Sequence, residues 1–264
     1  MTALKDFARR AAYTLGLTPA WYALNARFRP GEASPSLDED GVPIPPAALI
    51  RLVVGDVGWR AFLERGEKAL RIFADAATRA GVDFAKAERV LDFGCGCGRL
   101  ARHRPKLSSA VVYGFDYTAR LAGWCASNLS GTFRTNRLHP PLDAPDGHFD
   151  VAYLLSVFTH LRPATQDEWL VELARVIRPG GVALITFHDE DHPNLAASGL
   201  TREALIAEGL LIHNDAAEGS NLIGTFQSRA YVASQFGAHF EVVEITPTPK
   251  TGLGQALAVL RRRG

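Results

Sequence analysis

The chain has 264 residues, 47% of them hydrophobic and 22% charged, with a formal net charge of +1. This is the balance of a soluble globular protein, long enough for one α/β domain and an elaborating cap. So small a charge gives no global attraction to nucleic acid, no apolar run approaches the roughly 20 residues that cross a bilayer, and the N-terminus lacks the continuous apolar core of a secretory signal.

Residues 1–58 read as an N-terminal arm and cap. In the arm, Leu4, Phe7, Ala8, Ala11, Ala12 and Leu15 share a helical face beside basic residues, the pattern of a docking arm or a frayed terminal helix. Residues 30–46, rich in Pro and Gly, read as a linker or extended strap. A helical pattern runs from Ala47 to Ala80, and Gly81 closes it. Strands and helices then alternate. Arg89–Phe93, Ala110–Phe115, Thr132–Thr135, Phe149–Leu155 and Val182–Phe187 are the strands; helices start at Arg99 and cover Thr118–Asn128 and Thr165–Ile177. That rhythm predicts a mostly parallel sheet covered on both faces. His239–Thr246 and Gln255–Arg261, joined by Pro247–Gly254, leave no room for a crossover helix and should pair as an antiparallel hairpin. Residues 189–228 break the rhythm, which makes them the expected substrate lid of a domain spanning 59–264.

Within Val90–Arg99 an apolar strand runs into glycines at 94, 96 and 98 and then into a helix. Glycine permits a sharp turn and lets backbone N–H groups approach a ligand where a side chain would collide. The spacing is G-x-G-x-G, whereas a dinucleotide fingerprint wants its third glycine at position 99, which is Arg99. Asp92, just before the turn, suits an ammonium group and would repel a pyrophosphate; the competing role is to stabilise the turn itself. Asp116 ends the second strand, where an acid accepts hydrogen bonds from ribose hydroxyls or caps the following helix. Tyr117 beside it is placed to stack on adenine or to pack.

In these residues the chain resembles the class I S-adenosylmethionine-dependent methyltransferase superfamily. Val90–Arg99 looks like its first motif, Gly114–Tyr117 its second, Phe149–Ser156 its fourth, and Arg178–Gly181 the tight turn before strand five. The resemblance implies a Rossmann-like, seven-stranded, mostly parallel sheet with a C-terminal antiparallel hairpin and helices on both faces. It also implies S-adenosylmethionine as cofactor, with S-adenosylhomocysteine as product. Carried onto this sequence, the cofactor residues are Asp92, Phe93, Gly94, Cys95, Gly96, Gly98, Arg99, Asp116, Tyr117 and Ser156. Many relatives bind the adenine amino group with an acid after strand three; here Asn136 or a backbone carbonyl takes that place. The run Ser156–Leu161 and the terminal Gly254–Arg261 are similar to a bacterial subgroup associated with sugar, polysaccharide or secondary-metabolite methylation.

A hydroxyl acceptor benefits from a base, for which histidine is the common choice. His160 falls in the region that faces the sulfonium in relatives, with helix start or packing as its alternative role. His188 follows strand five beside Asp189 and Glu190, a base with an orienting carboxylate or part of a solvated loop. His192 shares that loop. Adjacent side chains cannot all point at one ion, so no obligatory metal is expected. Cys95, Cys97 and Cys125 read as reduced thiols of a cytoplasmic protein. The expected activity is methylation of a small-molecule or glycan acceptor, on oxygen. Nitrogen or carbon methylation and a catalytically inactive, cofactor-binding partner protein are the alternatives. A nicotinamide dehydrogenase would want glycine at position 99 and a parallel final strand.

Overall fold

The computed structural model describes residues 35–55, 58–215, 218–220 and 222–264. The predicted helical face at Leu4–Leu15 lies outside these residues.

Two helices lead in, α1 (Ala47–Val54) and α2 (Trp59–Arg79), and Gly81 turns the chain after α2 with φ 91°. The strands β1 (Arg89–Phe93), β2 (Val111–Asp116), β3 (Thr132–Thr135), β4 (Phe149–Leu154) and β5 (Ile177–Phe187) alternate with α3 (Ala119–Asn128, between β2 and β3) and α4 (Pro163–Val176, between β4 and β5). After β5 come the short helices α5 (Asn194–Ala197) and α6 (Arg202–Glu208). A hairpin of β6 (Leu210–His213) and β7 (Gly224–Gln227) follows, then α7 (Arg229–His239), β8 (Glu241–Thr246), a single turn α8 (Thr248–Thr251) and β9 (Ala256–Arg261).

The main sheet has seven strands in the order β3-β2-β1-β4-β5-β9-β8, and β6-β7 form a separate two-stranded sheet. β1 pairs in parallel with β2 and β4, and β4 with β5, while β9 pairs antiparallel with both β5 and β8. The fold is therefore the expected one, with β9 as the reversed strand of the C-terminal hairpin.

Each central strand is apolar throughout because both sheet faces are covered. Val90, Val151, Tyr153, Val182, Leu184, Leu257 and Val259 point to one face, where Leu70, Phe73 and Ala77 of α2 meet them. The alternate positions Leu91, Ala152, Leu154, Ala183, Ile185, Ala258 and Leu260 point to the other. There they meet Trp169, Leu170 and Leu173 of α4 and Val232 and Phe236 of α7. This period of two fixes the register, since a slip of one residue would exchange the two faces.

Several local expectations change. The segment after Gly98 is a 3₁₀ stretch, Ala101–Lys106, and not an α-helix begun at Arg99. Pro105 lies inside it and has no N–H with which to continue an α ladder. Arg178–Gly181 is the kinked first part of β5 and not a turn before it: Gly180 N–H donates to Arg262 O and Arg262 N–H to Gly181 O. His239 ends α7 and is not the first residue of the next strand. The β6-β7 hairpin, in the region expected to break the rhythm, docks on the end of β5 through a bridge between His188 and Phe226.

α2 reaches the glycine-rich turn through Gly66, where an added Cβ would stand 2.2 Å from the carbonyl oxygen of Arg99. Gly66→Ala should therefore cost about 1–3 kcal/mol, as overpacking does. Equilibrium denaturation checks this, and a stability unchanged from wild type contradicts the close approach.

Candidate functional site

Strand order reverses between β1 and β4, so the chain leaves their carboxyl ends in opposite directions and opens a crevice there. A cavity of about 510 Å³ occupies it, within the range small-molecule sites take. Asp92, Gly94, Asp116, Asn136, Ser156 and His160 all reach its wall.

The glycine turn is tied to the end of β2: Gly94 and Cys95 both donate their N–H to Phe115 O, at 2.7 and 3.0 Å. Gly94, Gly96 and Gly98 have φ of 76°, 55° and 76°, a region that disfavours side chains. The space above them differs from the expectation that it is kept for a ligand. An added Cβ would meet Val157 at 2.4 Å from Gly94, Val53 at 2.9 Å from Gly96 and Leu129 at 2.2 Å from Gly98. These glycines make room for the protein's own side chains, and the cavity opens beside them.

Asp92 is almost fully buried, and its Oδ2 has no hydrogen-bond partner. Burial pushes its carboxyl up to about 8, opposed by the Ala101 N–H and reinforced by the nearby Asp116 charge. The turn-stabilising role falls away for the N–H groups of Gly94 and Cys95, which Phe115 O takes. Asp116 holds two backbone N–H groups. Its Oδ1 accepts from Thr118 N–H at 2.7 Å at the start of α3, and its Oδ2 accepts from Gly96 N–H at 2.8 Å. Burial raises its pKa as well, and it still faces the cavity with lone pairs to spare.

At the far end, Asn136 donates from Nδ2 to Arg137 O at 2.7 Å, leaving Oδ1 buried without a partner. Tyr117, 46% exposed, stands at the rim. The cavity wall thus offers two orphaned acceptors, on Asp92 and Asn136, with the acid of Asp116 as a third anchor. That donor-seeking set fits a ligand with an ammonium group, ribose hydroxyls and an exocyclic amine. Phe93, Cys95 and Arg99 line the same cavity, whereas Gly98 does not reach it.

Ser156 closes β4 with φ 62°, a strained conformation for a residue with a side chain. Its N–H donates to Thr186 Oγ1, and its Oγ accepts from Gln255 Nε2 at 2.9 Å. His160 hydrogen-bonds through Nδ1 to Ile223 O at 2.9 Å. A carbonyl only accepts, so Nδ1 carries the proton and Nε2 keeps a lone pair. Burial lowers the His160 pKa.

His188 does not reach the cavity. It lies buried behind Ser156, with its Nε2 3.3 Å from Gln255 Nε2 and its ring 3.9 Å from that of His192. Burial, then the neighbouring His192 and His160, depress its pKa to about 2. The expected pairing with an orienting carboxylate is absent. Asp189 is fully buried and accepts from Arg229 Nη1 at 2.6 Å and from both N–H and Oγ1 of Thr248. A guanidinium outcompetes a neutral imidazole for a buried carboxylate, and His188 Nδ1 is left unpartnered. Glu190 and Asp191 also bind Arg229.

The three cysteines are free and buried, and the thiols of Cys95 and Cys125 both donate to Gly96 O, at 3.7 and 3.4 Å. Among the described residues no cluster of three or more His, Cys, Asp or Glu could hold a metal ion, and no helix is long and apolar enough to cross a membrane. Sequence reading missed Gln255, Arg120, Arg137 and Val53. Each reaches the site from a separate element, and only Arg137, next to Asn136, had a neighbour that signalled it.

Comparison with known proteins agrees with this geometry. Residues 90–181 match the family model described as "Methyltransferase domain". The chain is 27% identical over 158 residues to the O-methyltransferase cnsE of Penicillium expansum, covering 56% of each chain. It is 32% identical over 126 residues to the fatty-acid O-methyltransferase of Mycolicibacterium smegmatis, covering 47% of this chain and 44% of that one. The chain thus spans about half the length of these curated relatives. A crystal structure of an S-adenosylmethionine-dependent methyltransferase from Mesorhizobium loti superposes with a TM-score of 0.55 at 15% identity, over 71% of this chain and 96% of the other. Residues 90–181 thus match the methyltransferase-domain model, and the chain shares the Rossmann-like fold of that structure.

Proposed function

We propose that this chain is an S-adenosylmethionine-dependent methyltransferase acting on a small-molecule acceptor, with the methyl group delivered to oxygen. The observation that carries the reading is the pair of orphaned acceptors, Asp92 Oδ2 and Asn136 Oδ1, in one cavity with Asp116. Asp92 would receive the ammonium group, Asp116 the ribose hydroxyls and Asn136 the adenine amine, with Tyr117 against the base. The cofactor supplies an electrophilic methyl on a sulfonium. The protein's task is to align an acceptor with it and exclude water. His160, on the cavity wall, is the histidine nearest to an acceptor, and His188 lies behind Ser156, joined to it through Gln255. Two O-methyltransferases among the relatives support oxygen as the target. We assign residues 189–228 as the lid on a domain spanning 59–264, with 1–58 as arm and cap. Three free thiols fit a reducing compartment such as the cytoplasm.

A thermal-shift titration tests the reading. S-adenosylhomocysteine should raise the melting temperature saturably and NAD should not, and labelled S-adenosylmethionine should then pass its methyl group to an acceptor. Stabilisation by NAD alone would replace the methyltransferase reading with a dehydrogenase.

A further inference from the structure

The cavity holds more positive charge than its cofactor can neutralise. Arg99, Arg120 and Arg137 all line it. Among the described residues, none of these three guanidiniums has a hydrogen bond or an ion pair. Several arginines elsewhere are matched to acids. Arg102 binds Asp38, Arg162 binds Asp215 and Glu218, Arg175 binds Glu172 and Asp146, Arg178 binds Asp150, and Arg229 binds three acids. The contrast is sharpest at Arg99, which is mostly buried with an unpartnered Nε and with Arg65 as a like-charged neighbour. A guanidinium so desolvated calls for an anion. Of the two acids on the wall, Asp116 already holds two backbone N–H groups, and on the reading above both face the cofactor. The cofactor brings one carboxylate, which Arg99, next to the glycine turn, would take, so Arg120 and Arg137 remain.

A second feature concerns protons. His160, the histidine on the wall, has its basicity lowered by burial and no carboxylate behind it, since its Nδ1 proton goes to the Ile223 carbonyl. His188 is farther back and more strongly depressed, its neighbouring acids held by Arg229. Neither histidine is built to strip a proton from an alcohol.

From these two features, and resting on the methyltransferase reading above, we infer that the acceptor is a carboxylic acid, drawn into the cavity by the surplus guanidiniums and methylated as its carboxylate. A carboxylate oxygen forms the new O–CH₃ bond as the CH₃–S bond breaks, and that bond's electron pair returns to sulfur. The products are a methyl ester and a neutral thioether, and no proton moves. A base is unnecessary because the acceptor is already ionised at neutral pH.

The test uses three eight-carbon probes, octanoate, octyl phosphate and 1-octanol, on protein saturated with S-adenosylhomocysteine at constant ionic strength. Octanoate should raise the melting temperature saturably and octanol should not. Octanoate binding should weaken about tenfold in the double variant Arg120→Gln/Arg137→Gln, whose affinity for S-adenosylhomocysteine stays near wild type. Octanoate incubated with labelled S-adenosylmethionine should also yield a product whose label is released by alkali, as an ester's is and an ether's is not. Equal response to octanol, preference for octyl phosphate, an undiminished response of the double variant, or no response to any probe overturns the inference. Failure of S-adenosylhomocysteine itself to bind would instead strike the methyltransferase reading.

Discussion

Asp116→Ala should weaken S-adenosylhomocysteine binding by about a hundredfold or more, since hydrogen bonds to a charged acceptor contribute about 1.5–3 kcal/mol each. The side chain does two jobs at once. Its oxygens hold the N–H groups of Gly96 and Thr118, so they set the shape of the glycine turn and the start of α3, and they present the same acid to the cavity. Truncation strands two backbone donors, that of Gly96 in the interior, and leaves the ribose hydroxyls without an acceptor. Asp116→Asn keeps one acceptor oxygen and should fall between wild type and alanine. Calorimetric titration of the three proteins checks the order; equal affinities would remove Asp116 from the cofactor site.

Asp92→Asn should do two opposite things: stabilise the free protein and weaken its hold on the cofactor. The wild-type carboxyl is fully buried, one of its oxygens is unpartnered, and its pKa is raised from 3.8 to about 8. Because the folded-state value lies above the unfolded one, this group favours folding fully below pH 3.8, and the contribution is lost as pH rises through about 8. At neutral pH the cost of burying this acid is on the order of 2–4 kcal/mol, and asparagine removes much of it. An ammonium group beside Asp92 would pull its pKa back down, so cofactor binding near pH 7 should release close to one proton, and almost none above about pH 9. Titration calorimetry in buffers of differing ionisation enthalpy reads that proton directly. A binding enthalpy independent of buffer at pH 7, together with an Asn variant of unchanged affinity, would show that Asp92 meets no cation.

Much of this site was legible in the sequence because the fold writes it locally. An apolar strand, a run of glycines and an acid at the end of the next strand lie within Val90–Asp116, and their spacing fixes them on adjacent strand ends. The parallel sheet and its final hairpin were legible for the same reason, in apolar runs separated by helices of sufficient or insufficient length. What escaped depends on distant segments meeting. Val53 of α1 covers Gly96, and Gln255 bridges Ser156 and His188 across 99 and 67 residues of chain. The pairing of Asp189 with Arg229 spans 40 residues and reverses the role foreseen for His188. The hairpin β6-β7 escaped because its two short strands pair with each other outside the main sheet, in the stretch read as a lid.

The central claim is that the crevice between β1 and β4 receives S-adenosylmethionine by its amino-acid and adenosine ends. A crystal structure with S-adenosylhomocysteine bound is the most direct measurement. It should show the ammonium nitrogen within about 3 Å of Asp92, the ribose oxygens on Asp116 and the adenine amine at Asn136. Nucleoside density elsewhere, or an amino-acid arm turned away from Asp92, would contradict it.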